Sequence, residues 1–208
     1  ALRGCGIDNA LIDIDANEPP IGDGSSRHFI EMLEKAGKQE LDATVDEYEL
    51  REPVRVTSRD GGYIIAWPSD HFEISCTNAN HLGKHTQFRT WNPETGNYAR
   101  EIALARTFVF YEEVQPLMEK GLIKGGSLEN AVVIRGDAIL SREPLRYEDE
   151  FVRHKILDVI GDLSLFPARL KAHIYAVKPS HALNVELARE IYKQYKQRLA
   201  QRLPFEHV

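Results

Sequence analysis

The chain has little cysteine. Only Cys5 and Cys76 occur in 208 residues. They lie far apart and form no CxxC pair, which excludes a disulfide framework and a cysteine-based zinc finger. Each reads as a packing thiol in a reducing compartment. No run of roughly 18 apolar residues occurs, so no membrane-spanning helix is expected. Basic charge is also in deficit. The formal net charge is -6, which argues against a nucleic-acid binder needing a basic stripe, though not against a local basic pocket for a phosphate. No basic-then-apolar leader opens the chain. Ala1-Leu2-Arg3-Gly4 carries no initiator methionine and reads as the continuation of an upstream segment.

What is present is an ordinary globular composition, 42% hydrophobic and 28% charged, long enough for a real core. The alternation in Ala10 to Asp15 predicts a half-buried strand. After a Pro/Gly/Ser loop, Ser25 or Ser26 can cap a helix with apolar Phe29, Ile30, Met32 and Leu33, ended by Gly37. Lys38 to Pro53 is polar and acidic and reads as an interdomain linker. Short strands follow at Val54 to Thr57, Tyr63 to Trp67, Phe72 to Thr77 and Gln87 to Trp91, with a turn at Asp60-Gly61-Gly62. Further expectations are a short helix at Val114 to Lys120, a buried strand at Ala131 to Ile134, a helix at Glu150 to Leu163, a strand at Ile174 to Val177 and a long helix at Leu183 to Leu199. Strands come in runs and helices gather later, an α+β layout with helices on a mainly antiparallel sheet.

The helix from Glu150 to Leu163 carries the most chemistry. At about 100° per residue, Val152, Ile156, Val159, Ile160 and Leu163 form one apolar stripe. His154, Asp158 and Asp162 lie on the opposite side, four apart each time. A solvated polar face supplies such pairs as a matter of course. Equally, an imidazole and a carboxylate one turn apart can both reach a single Zn²⁺. His181 stands at a strand-to-helix junction, either as a helix-entry residue without a task or as a catalytic group. His81 and His85 fall in a loop and read as surface or pocket lining.

Several segments together resemble the zinc-dependent UDP-3-O-acyl-N-acetylglucosamine deacetylases of lipid A biosynthesis. These are Gly6 to Asp15 followed by Pro20 to Ser25, Ala105-Arg106-Thr107-Phe108, Gly121 to Ser127, Glu150 to Leu163, and Lys178 to Asn184. Their order matches over nearly the whole chain. The resemblance implies a two-domain α+β fold with an incomplete first domain. Residues 1–42 would be the remainder of that domain, and 50–200 a second domain carrying the ligands. An insert around Thr107 to Val132 would line an acyl passage.

Carried over residue by residue, the resemblance makes His154 and Asp158 two of three Zn²⁺ ligands. It makes His181 the group that stabilises the oxyanion or protonates the leaving amine, with Asp162 orienting it and Thr107 bonding the reacting carbonyl. Lys155 and Lys178 would meet the UDP phosphates, and Phe108 the substrate. The third ligand and general base belong to a Glu-His motif expected upstream of Ala1, so the 208 residues alone are expected to be inactive. Ser180 stands where the family has Gly, and His81-Leu82 where it has His-Pro. The implied activity is cytoplasmic hydrolysis of the N-acetyl group of UDP-3-O-acyl-N-acetylglucosamine. A non-catalytic UDP-sugar-binding remnant, and the deacetylase part of a fusion with a hydroxyacyl-carrier-protein dehydratase, are the alternatives.

Overall fold

A computed structural model describes residues 1–80, 83–114 and 127–202. All but Val114 of the helix expected at Val114 to Lys120, and most of the Gly121 to Ser127 turn, fall outside these residues, as do His81-Leu82 and the end of the chain.

Nine strands and four helices are described, in an α+β arrangement. The main sheet runs β2 (Val54–Thr57), β3 (Tyr63–Pro68), β9 (Arg169–Val177), β4 (Phe72–Asn78), β5 (Gln87–Trp91), with β1 (Glu47–Glu49) paired to the start of β9. The β2/β3, β3/β9 and β4/β5 ladders are antiparallel; β4 and β1 run parallel to β9. Alternation decides which face is buried. Val54, Val56, Ile64, Ala66, Ile74, Cys76, Ile174 and Ala176 all point to one side and are buried. The β2–β3 turn needs Gly61 at φ +84°, a conformation glycine adopts without a Cβ clash.

Two helices cover that face. α3 (Glu150–Leu163) contributes Val152, Ile156, Val159, Ile160 and Leu163, and α4 (His181–Arg202) contributes Leu183, Leu187, Ala188 and Ile191. Each such aliphatic side chain stabilises the fold by about 1.5–3 kcal/mol when fully buried. None of the described helices is long and apolar enough to cross a membrane. A second sheet, β6 (Phe108–Phe110), β7 (Val132–Arg135) and β8 (Ala138–Leu140), closes over Phe151 with Val132 and Ile134.

α1 (Arg27–Ala36) ends at Gly37 as expected. Its Ser26 makes no capping bond; the Ser25 hydroxyl instead accepts from the Arg27 amide at 3.2 Å. α2 (Tyr98–Glu101) is a single turn capped by Asn97.

Three expectations are corrected. Residues 10–15 form no strand. Leu11, Ile12 and Ile14 are 92%, 62% and 54% exposed, because alternation makes a strand only where a ladder partner is available. The linker reading of Lys38 to Pro53 missed β1, whose Tyr48 is buried, and Leu50 beside it. The strand at Ile174 to Val177 begins five residues earlier, at Arg169. Leu170 and Ala172 extend its buried face, while Arg169, Lys171 and His173 between them mask the apolar pattern.

Candidate active site

The site is built around α3. Its first residue, Glu150, is fully buried. The carboxylate accepts from the Arg106 amide (3.0 Å), Arg106 Nε (2.8 Å), Arg106 Nη2 (3.1 Å) and the Arg146 amide (2.7 Å). This clamp fixes the 105–108 segment against the start of the helix. Behind it, Arg146 Nη2 reaches Asp23 Oδ2 at 2.7 Å and ties in the 23–26 loop. That loop needs Gly24: a Cβ there would fall 2.0 Å from the Asn130 carbonyl oxygen. The Thr107 amide donates to the Gly24 carbonyl at 2.8 Å and its carbonyl accepts from the Val132 amide at 2.9 Å, so Thr107 is held by both of its backbone polar groups.

One turn into α3 stands His154. Its Nδ1 lies 2.9 Å from the Ala105 carbonyl oxygen. A carbonyl only accepts, so Nδ1 is the donor there and Nε2 is the nitrogen left for another partner. Nε2 faces Asp158, with Oδ1 3.3 Å away. The reading of this side of α3 as a solvated face does not hold for these two, whose side chains are 9% and 10% exposed. Lys155 Nζ donates to Asp158 Oδ2 at 3.1 Å and lies 5.3 Å from the Phe108 ring centroid. Phe108 also packs edge-on to His154, centroids 6.4 Å apart. Burial alone would raise the Asp158 carboxyl; the positive charges of His154, Lys155 and His181 outweigh it and hold the group below its ordinary range.

One turn further on, Asp162 Oδ2 accepts from His181 Nδ1 and from Asn184 Nδ2, both at 2.8 Å. His181 opens α4 and is exposed. The bond from Asp162 raises its pKa above the ordinary value, against the opposing effect of burial. Ser180 supplies the start of α4: its hydroxyl faces the Leu183 amide at 3.4 Å and its carbonyl accepts from Asn184 N at 2.8 Å.

The structure therefore brings His154, Lys155, Asp158 and Phe108 into one contact set, and His181 and Asp162 into a second a turn along the same helix. Thr107 precedes Phe108 in the chain and bonds by its backbone to Gly24 and Val132. Lys178 stands apart at the end of β9 with φ +50°, its ammonium 3.4 Å from the Asp60 carbonyl oxygen. His85 bonds the Gly136 carbonyl at 3.1 Å. Sequence reasoning missed Arg106 and Glu150 as a clamp, and Asn184 as a third member of the His181 set. A charged residue opening an otherwise apolar helix stretch was the available signal for Glu150. A cavity of about 410 Å³, lined in part by Arg3, Asp8, His71 and Trp91, includes none of the site residues.

The donor set fits a metal ion in part. One imidazole nitrogen, His154 Nε2, and one carboxylate, Asp158, converge, as two of the three protein ligands of a catalytic Zn²⁺ do. Among the described residues no third His, Cys, Asp or Glu completes the group.

Fold and site together are those of an α+β protein with its polar site residues strung along one half-buried helix. Residues 1–193 match the family described as UDP-3-O-acyl N-acetylglycosamine deacetylase. Proteins named UDP-3-O-acyl-N-acetylglucosamine deacetylase are similar throughout. The Chlamydia muridarum protein is 42% identical over 203 residues, covering 96% of this chain and 71% of the relative. The Citrifermentans bemidjiense protein is 44% identical over 195 residues, 93% and 64%. The Myxococcus xanthus protein is 43% identical over 193 residues, 92% and 61%. The chain belongs to the UDP-3-O-acyl-N-acetylglucosamine deacetylase family, and it spans roughly two thirds of the length of these relatives.

Proposed function

We propose that this chain carries the larger part of the active site of an amidase that removes the N-acetyl group of UDP-3-O-acyl-N-acetylglucosamine, releasing acetate and the free amine in the cytoplasm. The carrying observation is the convergence of His154 Nε2 and Asp158 Oδ1 at 3.3 Å, with His154 Nδ1 bonded to the Ala105 carbonyl, one helical turn from the Asp162–His181 pair.

His154 and Asp158 would hold Zn²⁺ together with a third ligand from upstream sequence in the whole protein. Bound there, the ion supplies a Lewis acid that acidifies water and polarises the amide carbonyl. This chain's own residues do the rest. His181, kept cationic by Asp162, stabilises negative charge developing on the carbonyl oxygen and delivers its proton to the departing amine nitrogen. Thr107, fixed through its backbone, offers its hydroxyl to the same carbonyl. Lys155 and Lys178 are point charges for the two phosphates, and Phe108 offers an apolar surface beside them.

The second reading is a UDP-sugar-binding remnant that does not turn over its ligand. Acetate release separates the readings. The chain with its upstream segment restored releases acetate, and His154→Ala abolishes the release. No release from the restored, zinc-loaded protein leaves the binding remnant as the account.

A further inference from the structure

Asn184 is 0% exposed, one turn into α4 on the same side as His181. An amide so placed loses its water, and each of its polar atoms then needs a partner or costs about 1–3 kcal/mol. Its Nδ2 has a partner, Asp162 Oδ2 at 2.8 Å; its Oδ1 has none among the described residues. An apolar side chain of the same size would avoid that cost, so the position is not explained by packing.

The geometry around Asp162 suggests what the amide does. His181 is largely exposed, its side chain at 73%, so water competes for the bond between them. An Asp side chain free to turn can offer either oxygen, or neither, to an exposed imidazole. Two donors arriving at one oxygen from successive faces of the same helix end hold the carboxylate in one rotamer. Asn184 is the buried and neutral donor of the two, so it holds Asp162 in place whether or not His181 is charged.

We propose that Asn184 is a positioning residue for the reaction: it fixes Asp162 so that Oδ2 stays directed at His181 Nδ1. The inference rests on the deacetylase reading for its kinetic consequence, but not for its structural one. The other charges near His181 are Asp158 and Lys155, on the facing helix α3. They remain in place in the variants below.

The test uses the full-length protein and two readouts. The first is the His181 imidazole titration, followed by NMR without substrate, in wild type, Asn184→Leu and Asn184→Ser. Leu keeps the volume and removes the donor; Ser is smaller and restores a donor. The expected result is a drop of the His181 pKa toward the ordinary value of about 6.5 in Asn184→Leu, with partial recovery in Asn184→Ser. The second is acetate release, where kcat falls roughly tenfold in Asn184→Leu at nearly constant KM, the pattern of an interaction that acts in the transition state.

A double-mutant cycle separates positioning from packing. In an Asp162→Ala background, Asn184→Leu should change neither readout further. An unchanged His181 titration in Asn184→Leu overturns the proposal, and so do additive effects in the cycle. If Asn184→Leu does not fold, Asn184→Ala, which also removes the donor, and its cycle with Asp162→Ala decide in the same way. Absence of acetate release from the wild type defeats the deacetylase reading alone, because the titration is measured without turnover.

Discussion

Arg106 and Glu150 form a fully desolvated pair, with Nε 2.8 Å from Oε1 and the two residues 3% and 0% exposed. A buried pair of this kind adds little net stability over an apolar equivalent, but removing one partner strands the other charge, at a cost of about 3–5 kcal/mol. The pair also sets the position of Ala105, whose carbonyl fixes His154.

Glu150→Ala is therefore expected to lower the unfolding free energy by about 3–5 kcal/mol, read as a shift in the urea midpoint. Arg106→Lys should recover only part of the loss relative to Arg106→Ala. A lysine cannot reproduce the two-toothed contact of Nε and Nη2 with the two oxygens. A destabilisation under about 1 kcal/mol in Glu150→Ala would mean that water reaches the site and the clamp is weak.

Metal content provides a check that needs no substrate. In the whole protein, His154→Ala and Asp158→Ala should each reduce bound zinc after dialysis from about one equivalent to a small fraction, since a catalytic site has only three protein ligands. Thr107→Ala and Lys178→Ala should leave zinc content intact. Zinc retained in both ligand variants would count against the pair as ligands.

The segments that carry the site were legible because their chemistry is local. A helix with His154, Asp158 and Asp162 at four-residue spacing shows its one-sided arrangement in the sequence itself. Gly37 marked the end of α1 for a similarly local reason. What was hidden depends on distant partners. β1 lies in an acidic stretch, and only its pairing with Arg169–Lys171 makes Tyr48 a core residue. The first half of β9 alternates charge with apolar side chains and becomes a central strand because β3 and β4 flank it. Residues 10–15 show the converse, a strand pattern without a ladder. The Arg106–Glu150 clamp joins positions 44 apart, and no spacing rule reaches that far.

Cys76 lies in the core of the sheet, fully buried, and burial pushes its thiol up to about 12. Thiolate is the reactive form. Cys76 should therefore resist a disulfide reagent near neutral pH for as long as the protein is folded, and react at once in denaturant. Counting titrated thiols before and after unfolding checks this. Rapid labelling of Cys76 under native conditions would show that the β4 region opens locally.

The His181–Asp162 pair gives the stability a defined pH dependence. The folded pKa of His181 is raised above its unfolded value, so the folded state binds the proton more tightly. The stabilisation from the pair is then fully present below about 6.5 and is lost as pH rises through the folded pKa. Asp162→Asn removes the charge that holds the proton. The gap in unfolding free energy between wild type and Asp162→Asn should accordingly be wider at about pH 6 than at about pH 9, and small throughout because the imidazole is largely exposed. Denaturant titrations of both proteins at the two pH values measure it. A gap that widens toward alkaline pH would place the proton on the wrong partner and remove the basis for a cationic His181 in the reaction.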